Sequence, residues 1–419
     1  MNKISIILIT LLLLAFCAGE TTQDIESTQE LSKLESLGKK LFFDANLSSP
    51  PGQSCATCHA PSAGWTGPDS AINIKGAVYE GALKGRFGNR KPPTSAYAGA
   101  SPILAYTQDE DNDEEVFVGG MFWNGRASGW DLQDPIAEQA QGPFLNPLEQ
   151  NMADSLAVVT AVQESEYAGL FEEVWGEGSL DAEKDLKAVY DRIGRSIAAY
   201  ERSFEVNPYS SKFDVFWKNA NEAGKDAALI DEENWEKYKG MGLSDDEVEG
   251  LMLFATKGLC AECHVLTPGP NGEPPLFTDF TYDNLGTPRN PENPFYAMDA
   301  EWNPDGPDWK DLGLGEFLGG TEKYKDHAAA NIGKQKVPTL RNVDLRPEED
   351  FVKAFMHNGV FKSLKEVVHF YNARDVEEFP PPEVTENINV DELGDLGLTE
   401  QEEDLIVLFM TTLSDGFMK

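Results

Sequence analysis

Two short runs in this 419-residue chain concentrate the residue types that bind metals and cofactors. "SCATCHAPSAGW" (54–65) sets Cys55, Cys58 and His59 within five positions, and "LCAECHVL" (259–266) repeats the unit at Cys260, Cys263 and His264. The copies begin 205 positions apart (260 − 55). Three chemistries use such clusters. Disulfides across a two-residue gap are strained and redox-active rather than structural staples. A zinc site assembled from both copies needs half-sites far apart in sequence, and it gives no reason for a histidine directly behind each cysteine pair. Covalent haem c attachment explains every residue. Two thiols on one helical turn add to the two vinyl groups of a porphyrin, and the next residue, histidine, gives its imidazole nitrogen to the iron. The duplication predicts two haems c, attached through Cys55, Cys58, Cys260 and Cys263, with His59 and His264 as iron ligands.

The fifth cysteine, Cys17, lies in a different setting. "MNKISIILITLLLLAFCAGE" has Lys3 ahead of an apolar run from Ile4 to Phe16, too short to span a bilayer comfortably but suited to a secretory signal. Residues 1–17 are therefore read as a signal peptide, which implies the oxidising periplasm. "LAFC" also resembles a bacterial lipobox, so a membrane tether through lipidated Cys17 is compatible with the sequence, although Phe16 is bulky for that cleavage site. The net charge is −38, from 72 acidic and 34 basic residues. Nucleic acid, which needs a basic footprint, is excluded as a partner, and a basic soluble protein steered by the acidic field fits better.

The elements that must hold the two clusters are helical. After a polar leader (18–34), residues 186–204 read as a helix with Leu186, Val189, Ile193, Ile197, Tyr200 and Phe204 on one apolar stripe, closed by Pro208. "LSDDEVEGLMLFATKGLCAECH" leads into the second cluster by a helix whose start is a capping box, Ser244 with Glu247. The last helix starts at a second box, Thr399 with Glu402, and turns Leu405, Leu408, Phe409 and Leu413 inward. Residues 268–320, rich in Pro, Gly and Asp, predict an extended loop over the second haem. No stretch alternates as a large sheet would. The predicted fold is mainly α: two cytochrome c-like haem domains with long wrapped loops, 35–225 and 226–419.

Taken in order, "LGKKLFFDANLS", "MFWNGRA", "EQAQGPFLNPLE", "AAYERSF", "KVPTLRNV" and "MHNG" resemble the bacterial dihaem cytochrome c peroxidases and the related MauG-type enzymes over most of the chain. The resemblance implies a peroxide-reacting haem in the N-terminal domain that exchanges electrons with a second haem in the C-terminal domain. It places Trp123 between the haems, Gln139 as the distal glutamine and Glu149, ten positions on (149 − 139), as the catalytic acid/base. A carboxylate there takes a proton from the inner oxygen of peroxide and returns one to the outer oxygen. The five histidines are 59, 264, 327, 357 and 369, so none between 60 and 263 can cap the first iron, whose peroxide site is expected to be open at rest. Counting fourteen positions from His357, the family spacing puts the sixth ligand of the second haem at Tyr371 (371 − 357), with Met356 as the local alternative. His357 and His369 are then structural or support the ligands from behind. The calcium that the family holds between its domains is in doubt, because Lys91 in "NRKPPT" replaces an asparagine; its ammonium can stand in for the metal's charge, while Asn89 keeps a weaker site open.

The activity implied is reduction of hydrogen peroxide to water with electrons from a small c-type cytochrome or cupredoxin. A MauG-type oxidase that uses peroxide to modify a protein or small molecule is the second reading. A non-catalytic electron carrier or redox sensor is the third, and an intact distal carboxylate beside an open iron speaks against it. A homodimer is compatible with all three.

Overall fold

Each predicted helix start is a side chain answering orphan backbone donors. Ser244 Oγ accepts from Glu247 N at 3.3 Å while Glu247 Oε2 accepts from Ser244 N at 2.6 Å, opening helix Asp245–Ala255. Thr399 and Glu402 do the same at 3.2 and 2.7 Å for helix Glu400–Thr411. A third box, Ser32 with Glu35, starts Lys33–Phe43. The computed structural model describes residues 30–108 and 115–417; the expected signal segment, Cys17 and most of the polar leader lie outside them. No helix among the described residues is long and apolar enough to cross a membrane.

From Leu31 the chain forms one compact unit, mainly helical. Among the described residues the strands make two antiparallel ribbons, Ala105–Gln108 with Glu115–Val118 and Tyr282–Asp283 with Gln335–Lys336. The apolar stripe predicted at 186–204 belongs to helix Ala182–Glu201, which Asp181 caps and which breaks locally at Asp185. Val189, Ile193, Ile197 and Tyr200 are buried as expected, but Phe204 falls beyond the helix end. Helices Lys33–Phe43, Pro135–Leu145 and Ser155–Gln163 pack on it, around a core that includes Phe42, Phe144 and Phe171.

A second core gathers Phe213, Phe216, Phe254, Phe277 and Phe409, with helix Asp245–Ala255 packed on Glu400–Thr411. Phe213, Phe216 and Ala220 bring helix Lys212–Glu222 into this second core, so the change of core comes before residue 225. One inward assignment is corrected: Leu408 is 37% exposed, and Ile406 and Met410 are buried beside Phe409 and Leu413. The capped register turns position 408 to solvent.

The two cores share a packing device. A Cβ on Gly38 would strike the carbonyl of Ser196, and one on Gly250 would strike the carbonyl of Leu405. In each half, the helix ahead of the cysteine cluster therefore lies directly on the backbone of a later helix through a glycine. The 268–320 region runs mostly as turns, with one helix at Gly313–Gly319, and buried asparagines bind its carbonyls and those of its neighbours. It lines both cavities rather than the second alone: Asp283 and Asp311 face one, Phe295 and Trp302 the other.

Candidate functional site

The first cluster sits on a single turn, Cys55–Cys58, with Ser54 N donating to Thr57 Oγ1 at 3.0 Å and His59 N to Cys55 O at 3.0 Å. His59 Nδ1 donates to the carbonyl of Trp65 at 3.3 Å, and the residue lines the first cavity. Burial lowers the His59 pKa to about 4, so the ring is neutral and fit to ligate. The second cluster repeats the turn, with His264 N donating to Cys260 O at 2.9 Å and His264 Nδ1 to the carbonyl of Phe277 at 2.8 Å. Its pKa is also lowered by burial, to about 4.

None of the four cysteines pairs with another. Burial pushes Cys58 and Cys260 up to about 12 and the other two higher still. In the free protein all four are neutral thiols. Each cluster opens on a cavity, about 440 Å³ at the first and about 190 Å³ at the second. Two thiols, one neutral imidazole and a largely apolar wall fit a covalent haem at each.

The first cavity brings together residues far apart in sequence. Gln139, from helix Pro135–Leu145, and Glu149, from the turn after it, line it with His59, Arg126 and Trp123. Burial raises the Glu149 pKa, against the opposing pull of the Arg126 charge and a hydrogen bond from Asn146. Arg126 stacks on Phe122 at 3.5 Å. Among the residues lining this cavity the only histidine is His59.

Trp123 lines both cavities, and its Nε1 donates to the Lys91 carbonyl at 2.8 Å. Trp130, the other tryptophan nearby, packs on Phe317 and Tyr324 away from both. In the second cavity Leu364, Val367 and Tyr371 form one face of helix Leu364–Ala373, and Met356 lines the same space from a turn. Both candidate sixth ligands are thus present. His357 is buried beside them, with Nε2 3.8 Å from Glu383 and 4.0 Å from Asp311. His369 lies outside both cavities, paired with Glu403 at 2.9 Å and Glu377 at 3.3 Å. The Lys91 ammonium reaches the Pro92 carbonyl at 3.2 Å, and burial lowers its pKa to about 8. The Asn89 carbonyl accepts from Asn293 Nδ2 at 2.9 Å.

Three residues near the site had no assigned role in the sequence. Arg90 and Asp311 form a buried bidentate pair, at 2.5 and 2.6 Å, that links the walls of the two cavities. Glu201, 3% exposed, lines the first cavity, and burial raises its pKa to about 8. Its signal was available: it follows Ile197 by one helical step on a stripe that is otherwise apolar. Nothing in the local sequence could pair Arg90 with Asp311.

Residues 32–222 match the family described as di-haem cytochrome c peroxidase. The methylamine utilization protein MauG of Paracoccus denitrificans is 32% identical over 397 residues, covering 91% of this chain and 88% of its own. The chain belongs to the dihaem cytochrome c peroxidase and MauG family. A cytochrome-c peroxidase of Denitromonas iodatirespirans is 27% identical, over 90% of this chain and 80% of the relative. A tyrosine-to-methionine variant of the diheme peroxidase BthA from Burkholderia thailandensis superposes with a TM-score of 0.73 at 26% identity, over 93% of this chain and 87% of that one. As a member of the dihaem family the chain carries two covalently bound haems c and is a peroxide-dependent oxidoreductase.

Proposed function

We propose that this is a periplasmic dihaem peroxidase that reduces hydrogen peroxide to water at the haem held by Cys55, Cys58 and His59, in an N-terminal domain, with electrons entering through the haem held by Cys260, Cys263 and His264. The observation that carries the reading is the convergence of Gln139 and Glu149 on the cavity that His59 faces. The iron there supplies the centre at which the O–O bond is cleaved. Glu149 takes the proton of the inner oxygen and delivers it to the outer one, Gln139 orients peroxide through its amide, and the Arg126 charge draws the Glu149 carboxyl back toward its ionised form. Trp123 couples the two cavities. The donor is a small c-type cytochrome or cupredoxin, and the test is steady-state peroxide consumption with reduced cytochrome c.

With no second histidine lining the first cavity, the as-isolated diferric enzyme is expected to react with peroxide without prior reduction. Stopped-flow mixing checks this; a requirement for one added electron means that another side chain blocks the iron.

A second reading, a MauG-type oxidase acting on a protein or small molecule, turns on which of the two residues in the second cavity, Tyr371 or Met356, ligates the second iron. Tyr371 faces the second cavity, and an anionic phenolate there prefers ferric iron. On this reading Tyr371→Phe changes the spin state of the second haem and raises its potential, while Met356→Leu leaves both alone. If Met356→Leu instead removes a near-infrared thioether band and Tyr371→Phe is silent, the cytochrome c peroxidase reading stands by itself. A search for oxidised partner proteins in the same samples separates the substrates.

A further inference from the structure

From the carbonyl that holds His59, an aromatic group leads outward. Trp65 is 5% exposed and adopts a left-handed backbone (φ 61), costly for a bulky residue. That conformation accompanies both of its roles: its carbonyl accepts from His59 Nδ1, and its indole meets Tyr200 at 6.0 Å and Phe42 at 5.9 Å between ring centroids. Phe42 also lines the first cavity and lies 5.7 Å from Tyr200. The Tyr200 ring then meets Phe43, 42% exposed, at 6.2 Å. Core packing accounts for the rings. It does not account for the far end, where burial and the neighbouring Glu205 carboxylate together hold the Tyr200 phenol in its protonated form. Glu205 is partly exposed and paired with Lys39 at 2.5 Å, and Lys39 itself lies 6.0 Å over the Tyr200 ring.

A phenol beside a carboxylate that can take its proton, in ring contact with a tryptophan whose carbonyl holds the proximal histidine, is a setting for one-electron oxidation of tyrosine. We propose that Trp65 and Tyr200 form an electron relay from the first haem to the surface at Lys39, Phe43 and Glu205, where small phenolic donors are oxidised. The relay rests on peroxide being reduced at the first haem. Tyr200 gives one electron through Trp65 to that oxidised site and its phenolic proton to Glu205, leaving a neutral tyrosyl radical. A phenol at the surface returns one electron to Tyr200, and its proton comes back through Glu205. Two such cycles match one peroxide: H2O2 and two phenols give two waters and two phenoxyl radicals.

The test uses the holoenzyme, hydrogen peroxide and guaiacol as the probe donor. Peroxide without donor is expected to raise a tyrosyl signal in electron paramagnetic resonance that Tyr200→Phe abolishes. The same variant loses most guaiacol oxidation and keeps peroxide turnover with reduced cytochrome c. Glu205→Gln changes only a partly exposed carboxylate, so it folds even if the first variant does not, and it slows radical formation and guaiacol oxidation together. A radical and a guaiacol rate that ignore both substitutions, in enzyme that still consumes peroxide, overturn the relay alone. Wild-type holoenzyme that consumes no peroxide overturns the relay together with the reading of the first haem.

Discussion

Replacing Glu149 by glutamine is expected to slow the reaction with peroxide by at least about 10²-fold, the low end of what positioned proton transfer contributes. Haem content and the binding of small ligands at the first iron should be unchanged, because the amide keeps the size of the side chain and loses only the ability to accept a proton. A rate within a few-fold of wild type refutes the role. The pH dependence carries a second check. Burial holds the Glu149 carboxyl above its ordinary range, and a base must be ionised to act, so the rate is full at high pH and is lost as pH falls through that raised value. Removing the opposing charge with Arg126→Gln should move the midpoint further up. A profile that stays flat down to the ordinary carboxylate range denies Glu149 the part.

Arg341→Met is expected to cost about 3–5 kcal/mol of stability, the range for stranding one member of a buried ion pair. Arg341 is 1% exposed; its Nη1 donates to Asp214 at 2.7 Å and its Nε to the Pro275 carbonyl at 2.8 Å. The rings of Tyr97, Tyr209, Phe213 and Phe277 surround it within 5.8 Å. Asp214 is also the returning arm of the Ser211 capping box, so the lost partner loosens the start of helix Lys212–Glu222 as well. Denaturant unfolding of the holoprotein measures the loss. Adding Asp214→Asn should recover part of it by removing the stranded charge; no recovery would mean that lost packing, rather than charge, sets the cost.

Local chemistry was legible in the sequence wherever it acts over a few residues. The capping boxes at Ser244 and Thr399 stand as predicted because a hydroxyl and a carboxylate three positions apart can answer only their own helix end. Both histidines behind the cysteine pairs face cavities for the same short-range reason. The regular helix predicted from 186 starts there: Asp185, with a non-helical backbone, accepts from Ala188 N at 3.0 Å, and the short turn ahead of it, capped by Asp181, is what the apolar stripe did not reveal. Pairings over distance were not legible. Arg341 meets a partner 127 positions away and Arg90 one 221 positions away, and local patterning says nothing of either. Family spacing chose Tyr371 over Met356, and the fold brings both to one cavity.

The two proximal hydrogen bonds differ: His264 Nδ1 lies 2.8 Å from its carbonyl and His59 Nδ1 3.3 Å. The shorter bond draws harder on the ring proton and gives His264 more imidazolate character, so it donates more charge to its iron. With the same sixth ligand on both, a haem held by His264 would be the easier of the two to oxidise, and the choice between Tyr371 and Met356 would add to that difference or outweigh it. Both acceptors are main-chain carbonyls, of Trp65 and Phe277. The tuning of each histidine is therefore set by the course of the backbone, and both residues that present these carbonyls hold it in the left-handed region, at φ 61 and φ 54.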